Sequence, residues 1–315
     1  MQKYALFGTG RQSSRLLKAS IANKLKIVSL YSRNKEKGKD FLKNTDYRFS
    51  YISNILEEVI NHKEVEGVII ATPDFMHYEH IKKVLEYKKH IYVEKPLTTN
   101  VELAKELIAL TKKMDASLYV SYHLRQLNTL QYIKYLLNEH MGSIYKLCIE
   151  WGYIPSNTND WRTKENPWWC SSILGTHCLD LALWLLKPIC GNVITFSGFA
   201  SNQYYKKLDD TLEMNLSFQN NTTAEIRCSL GFDAPLSISI ESSMGKFLYE
   251  NILSQCINIT FHNKHKKIYN ADPFTKTISE FVRSIDKRVR VNTSLDECLE
   301  NLSFLSSIKI PKAAI

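Results

Sequence analysis

A short apolar run, Tyr4-Ala5-Leu6-Phe7, turns at Gly8-Thr9-Gly10-Arg11-Gln12-Ser13 into an amphipathic stretch, Ser13 to Asn23, with Leu16, Leu17 and Ile21 apolar. A strand that ends in Gly-x-Gly and opens a helix constrains the fold more than any other feature of the chain. Gly8 permits a tight turn and Gly10 lets the backbone approach a pyrophosphate. The helix start at Arg11 and Gln12 offers unsatisfied N–H groups and the positive end of a dipole. Ser13 stands where a third glycine is usual and is small enough for close helix packing. The competing reading is an ordinary strand-to-helix turn without a ligand.

The alternation continues to about residue 120. Short strand-like runs at Lys26 to Tyr31, Gly67 to Thr72, Ile91 to Val93 and Ser117 to Val120 are separated by helical patterns at Ser53 to Asn61, Tyr78 to Tyr87 and Val101 to Lys113. Strands alternating with helices specify βαβ units and a parallel sheet. A helix at Thr129 to Glu139 leads away, and after Met141-Gly142-Ser143 the period changes. Ile144 to Trp151, Asn192 to Phe199, Leu212 to Phe218, Thr223 to Leu230 and Leu236 to Ser242 alternate with period two between polar turns. That pattern predicts a large, mostly antiparallel open sheet. A helix near His177 to Leu186 interrupts it, and helices at Pro273 to Ile285 and Ser294 to Ile308 close the chain.

The fold class is therefore α/β. A Rossmann dinucleotide-binding domain is expected over 1–121, and an α+β domain for substrate binding and oligomerisation over 122–315. The last helices are candidates to pack back on the first domain. The apolar residues of the alternating strands outnumber what so few helices can cover, so a homodimer or homotetramer through that sheet is expected.

At 315 residues the chain is long enough for both domains, and 44% hydrophobic with 23% charged residues excludes disordered and fibrous classes. The longest apolar stretch, Cys178 to Cys190, is broken by Asp180 and Lys187. It falls short of the roughly 20 residues a membrane span needs, so no membrane partner is expected. Met1 leads almost directly into Tyr4, which leaves no room for a signal core and makes the cytoplasm the expected location. Seven cysteines, an odd number without C-x-x-C spacing, read as reduced and mostly buried thiols. The net charge of +9 comes from lysines spread along the whole chain. Without a dense basic block it argues against a nucleic-acid partner and is weak evidence in itself, with a field that attracts phosphorylated ligands as an open alternative. His262-x-x-His265 lacks a third ligand at helix spacing, and Lys264, Lys266 and Lys267 would repel a cation. No metal is expected, and the segment reads as a solvated strand or turn.

A second strand that serves NAD ends in an acid for the ribose 2′-hydroxyl. Here it ends Leu30-Tyr31-Ser32-Arg33-Asn34, with no acid before Glu36. Arg33 at the tip suits adenine stacking and a 2′-phosphate, and Ser32 and Lys37 add donors. NADP is the expected cofactor, with NAD the alternative; an Arg33 that is merely solvated is the competing reading.

Two further stretches resemble the Gfo/Idh/MocA oxidoreductases, which take in glucose–fructose oxidoreductase, inositol dehydrogenases and many sugar-nucleotide dehydrogenases. Ala71-Thr72-Pro73-Asp74-Phe75-Met76-His77 is similar to that family's T-P-x-x-x-H run, and His90-Ile91-Tyr92-Val93-Glu94-Lys95-Pro96-Leu97 to its H-V-x-x-E-K-P-L signature. Trp161-Arg162 and Gly175-Thr176-His177-Cys178-Leu179-Asp180 resemble its W-R and G-x-H-x-x-D elements. The resemblance implies that Thr72, Pro73, His77, Glu94, Lys95 and Arg162 line the cofactor, and that the bond before Pro96 is cis. It also implies hydride transfer between nicotinamide and a CH–OH group of a sugar-type substrate.

In that reading the Lys95 ammonium hydrogen-bonds the substrate oxygen and stabilises developing negative charge. His177, whose imidazole titrates near neutral pH, is the general acid/base. Asp180, one turn on, either orients that ring or pairs locally. Tyr122, Arg125 and Trp161 are candidates for substrate contact, against ordinary packing. One position departs from the family: the acid found four residues before the histidine in many members is Ile173 here. That departure supports one rival, a catalytically silent NAD(P)-binding sensor or scaffold; NAD-assisted glycoside cleavage on the same scaffold is a third reading.

Overall fold

The structure, a computed structural model, describes residues 2–45, 47–62, 64–156, 168–205, 208–285 and 293–309. The chain divides into two compact units: Met1–His123 with Asp272–Glu300, and Leu124–Ala271 with the residues from Asn301 on. A single cut after 121 would place residues 272–300 in the second domain; they belong instead to the unit of the parallel sheet.

The first unit alternates β1 (Lys3–Phe7), α1 (Arg11–Ala22), β2 (Lys26–Tyr31), α2 (Lys35–Thr45), β3 (Tyr51–Ser53), α3 (Leu56–Ile60), β4 (Gly67–Ile70), α4 (His77–Glu86), β5 (His90–Glu94), α5 (Val101–Met114) and β6 (Leu118–Ser121). All strand pairs are parallel, in the order β3-β2-β1-β4-β5-β6. This is the doubly wound Rossmann order, with its switch point between β1 and β4. Continuous buried runs in β1, β4 and β5 reflect a sheet covered on both faces. A C-terminal helix, α8 (Pro273–Ser284), starts at an Asp272 cap and packs on α1, adding Phe274, Ile278 and Phe281 to the core of Leu16 and Leu17. It also meets the sheet through polar groups. The Tyr92 hydroxyl donates to Ser121 Oγ at 2.6 Å and lies 3.0 Å from Thr277 Oγ1, and Tyr119 donates to Glu280.

The second unit contains α6 (Asn128–Glu139), β7 (Ile144–Gly152), α7 (Thr176–Cys190), β8 (Val193–Ser201), β9 (Thr211–Phe218), β10 (Thr223–Ser229), β11 (Ala234–Ser242), β12 (Gly245–Tyr249) and a separate hairpin, β13 (Cys256–Phe261) with β14 (Lys264–Tyr269). The large sheet runs β12-β11-β7-β10-β9-β8 and is antiparallel except for the β7–β10 pair. Its apolar face, with Leu147, Ile149, Met214, Leu216, Ile226 and Ile238, joins a core with α7, where every residue from Thr176 to Leu186 is buried. A π-helical turn, Ser171–Gly175, lengthens that helix toward its N-terminus. The stretch Ser171–Cys190 is 20 residues long and apolar enough to cross a membrane, yet 78% of its most apolar window is buried.

The other face of the sheet corrects the basis on which oligomerisation is expected. It carries Glu150, Glu213, Asn215, Glu225, Arg227 and Ser239, with Lys146 paired to Glu225 at 2.6 Å and Arg227 between Glu150 and Glu213. Most apolar side chains are turned inward; Phe199 and Leu248, register partners of Glu213 and Ser239, share the outer face at the sheet's two edges. His262 lies at the turn of the β13–β14 hairpin and His265 on β14, both exposed. The seven cysteines are free, and five are buried.

Candidate active site

The glycine turn has the geometry that a dinucleotide requires. Gly8 donates to Tyr31 O at 3.0 Å and adopts φ +108°, and a Cβ there would lie 2.7 Å from Ala71 O. That position excludes any side chain. The same Cβ would lie 3.0 Å from Ser13 Oγ, so serine fills the third glycine's place by packing under the turn. Gly10 is exposed with open space where a Cβ would stand, and no side chain caps α1. A pyrophosphate fits these backbone N–H groups, with exposed Arg11 at the first helical position.

At the tip of β2, Ser32 is buried and its hydroxyl donates to Asn34 O at 2.7 Å. Its proton therefore shapes the turn, in place of the donor role expected toward a phosphate. Asn34 Oδ1 accepts from Glu36 N and Lys37 N, which starts α2. Glu36, the first acid after the tip, pairs with Lys39 at 2.8 Å. Arg33 is exposed, with no ion-pair partner among the described residues.

The ends of β4 and β5 are tied together by His77. Its ring is 1% exposed, with Nδ1 2.7 Å from Pro96 O and Nε2 3.0 Å from Thr72 O, and burial holds it below the usual histidine range. The structure makes His77 a brace between two turns, where a cofactor contact is expected from the resemblance. Thr72 Oγ1 lies 2.9 Å from His80 Nδ1, and Thr72 and Pro73 are half-buried. Burial pushes the His80 imidazole down to about 3.

Glu94 ends β5, 6% exposed, and Lys95 follows with a cis bond to Pro96, as the resemblance implies. Burial pushes the Glu94 carboxyl up to about 7, with the Lys95 ammonium as the first of several opposing influences. Arg15, one turn along α1 from Arg11, is close enough to Glu94 to pull the same way, and its guanidinium lies 5.6 Å from the Phe274 ring. Phe274 stacks on His123 at 4.5 Å; burial, then Lys95 and Arg15, push that imidazole down to about 3. No motif in the sequence marks Arg15, His123 or Phe274. Arg15 carries a signal only in its distance from the glycine turn; Phe274 arrives from about 180 residues further along the chain.

In the second unit, His177 is 4% exposed near the start of α7, with its ring 6.0 Å from that of Trp151. The segment leading into the helix is held by Asp209, which no sequence motif marks either. Its carboxylate accepts from the backbone N–H groups of Trp169, Cys170 and Ser171. Arg125 is 2% exposed, and its Nε and Nη2 donate to the two oxygens of Asp180 at 2.9 and 2.6 Å. The expected substrate contact is thus the buried half of a bidentate ion pair, and Asp180 takes the local-pairing alternative. Ile173 is half-buried against the core. Tyr122 belongs to the first unit and is 2% exposed. Trp161 and Arg162 lie outside the described residues.

The fold and the glycine turn define a dinucleotide-binding protein. Residues 2–122 match the model of the oxidoreductase family with an NAD-binding Rossmann fold, and residues 131–247 match the GFO/IDH/MocA C-terminal domain. The chain belongs to the Gfo/Idh/MocA oxidoreductase family. It is 28% identical over 246 residues to an uncharacterized oxidoreductase of Synechocystis sp., spanning 76% of this chain and 65% of that protein. It is 24% identical over 265 residues to a glucose-6-phosphate 3-dehydrogenase of Bacillus subtilis, spanning 79% of this chain and 74% of that one. Among solved structures it is similar to a 3-ketoreductase from Actinomadura kijaniata in complex with TDP-benzene and NADP. That match has a TM-score of 0.81 at 15% identity and covers 98% of this chain and 96% of the other.

Proposed function

We propose that the protein is an NADP(H)-dependent oxidoreductase that moves a hydride between nicotinamide and a hydroxyl or ketone carbon of a sugar, cyclitol or sugar nucleotide. The observation that carries this reading is Lys95 at the carboxyl end of β5, beside buried Glu94 in a Rossmann unit whose glycine turn is open to a pyrophosphate. When bound, the nicotinamide supplies the hydride acceptor or donor. His177 takes the proton of the substrate hydroxyl in the oxidative direction and returns it in the reductive one. Lys95 donates a hydrogen bond to a substrate oxygen and offsets developing negative charge there. The relatives with sugar-type substrates support the substrate class. The decisive experiment is turnover of NADP+ or NADPH on a panel of sugars, sugar phosphates and sugar nucleotides.

The preference for NADP rests on exposed Arg33 and on Glu36 being paired to Lys39. A charge-assisted phosphate pair contributes about 1.5–3 kcal/mol, so Arg33→Ala should narrow the NADPH-over-NADH affinity gap by roughly 10- to 150-fold. Equal affinities in the wild type would overturn the assignment.

A silent nucleotide-binding sensor is the second reading, favoured by apolar Ile173 in the position of the family acid. It predicts NADPH binding without turnover on the whole panel.

The homodimer or homotetramer stays a proposal on changed grounds. The outer face of the large sheet is polar, but Ile194 and Phe199 on edge strand β8 and Leu248 on edge strand β12 are more than half exposed. Static light scattering at micromolar concentration should give a mass of two or four chains; a 36.5 kDa species would remove the idea.

A further inference from the structure

The second unit carries a groove that hydride transfer does not use. It lies between α6 and β14, an open cavity of 440 Å³ whose lining includes Tyr132, Tyr135, Lys266, Lys267 and Tyr269. Aromatic faces form one part of it. The Tyr132 and Tyr135 rings stack at 5.9 Å with 26° between their planes, and Tyr135 and Tyr269 are 49% and 60% exposed. Ammonium groups form the other part: Lys266 Nζ stands 4.1 Å from the Tyr132 ring centre and Lys267 Nζ 5.4 Å from that of Tyr269.

The charges in this groove are concentrated on β14. Lys39, Lys82, Lys83, Lys105, Lys146 and Lys246 each pair with a glutamate. Lys264, Lys266 and Lys267, on one short strand, have no carboxylate partner among the described residues. Strand periodicity puts Lys266 on the same side of β14 as Ile268, which is buried in the core. An ammonium at that position lies over a tyrosine where an apolar side chain would be the simpler choice.

We propose that this groove binds an anionic saccharide. Its ring face would lie on the exposed tyrosines and its phosphate, sulfate or carboxylate on Lys266 and Lys267. The C–H face of a sugar ring packs on a flat aromatic surface, and lysine serves as a point charge for an oxyanion. The cavity falls in the range of about 300–1,000 Å³ typical of small-ligand sites. Single-stranded nucleic acid is served by a basic groove that follows several phosphates, whereas the lysines that line this one are the adjacent pair Lys266 and Lys267.

Isothermal titration of the intact protein with dextran sulfate, neutral dextran, inorganic phosphate and oligo(dT) tests the proposal. Dextran sulfate should bind, and neutral dextran at least about tenfold more weakly. The double variant Lys266→Gln/Lys267→Gln should abolish binding, and Tyr135→Ala should weaken it about tenfold, in line with the stacking contribution of one aromatic ring. Hydride transfer on small substrates should be unchanged in both variants, so loss of one property does not entail loss of the other. Absence of dextran sulfate binding would overturn the proposal, as would tighter binding of oligo(dT). Full affinity in Tyr135→Ala, or inorganic phosphate binding as tightly as dextran sulfate, would also overturn it by removing the saccharide ring from recognition.

Discussion

His177→Ala is expected to lower turnover by about 10²–10⁴-fold, the usual worth of a positioned general acid/base. Cofactor affinity should be retained, because the proposed pyrophosphate contacts come from the turn at Gly8 and Gly10 in the other unit. Lys95→Ala should also reduce turnover, by about 10²–10³-fold, since it removes the donor proposed to offset developing negative charge. The pH–rate profile separates the two roles. Loss of His177 should flatten the limb that reports its titration, and loss of Lys95 should lower the whole profile. Variants that match the wild type in turnover would remove His177 and Lys95 from the chemistry, and a wild type that binds NADPH without turnover on the whole panel would sink the enzyme reading and leave the sensor.

Arg125→Met should destabilise the protein by about 3–5 kcal/mol, read from the denaturant midpoint, because it leaves the Asp180 carboxylate buried without its bidentate partner. Replacing both members, Arg125→Met with Asp180→Leu, should recover much of that loss, since the pair's attraction largely offsets the cost of taking two charges out of water. The cycle bears on function as well as stability. Asp180 lies three residues after His177 on α7, so the ion pair fixes the helix that carries the imidazole. A loss under about 1 kcal/mol for Arg125→Met, accompanied by a large rise in KM, would return the guanidinium to substrate binding.

Strands buried on both faces are legible from residue pattern alone. Those at Tyr4, Lys26, Gly67, Ile91 and Ser117 lie within one or two residues of the limits that the apolar runs predict, because a parallel sheet between helix layers demands continuous apolar runs. The period-two strands β7 to β11 are equally plain, whereas β12 and β13 are not among the runs that the alternation predicts. Elements with little buried surface leave no comparable mark. α2 reads KEKGKDFLKNT and buries only Gly38 and Phe41, and β14 reads KHKKIY and buries only Ile268. Neither shows the periodicity that marks a helix or a strand face.

The doubly wound unit, the glycine turn at its first strand, the family resemblance through Glu94-Lys95-Pro96 and the change to an alternating sheet after residue 141 all follow from the order of the amino acids. These are local properties, set by side-chain period, turn chemistry and short motifs within a few residues. Long-range packing alone assigns Arg125 to Asp180, 55 residues away, and sets Asp209 to hold the backbone of Trp169 to Ser171. It also makes His77 a brace between two strand ends and returns α8 to the unit of the parallel sheet. A buried charge or backbone donor must find a partner, and the requirement is visible in the sequence. Which partner it finds depends on how distant elements pack, and that leaves no trace in spacing or composition.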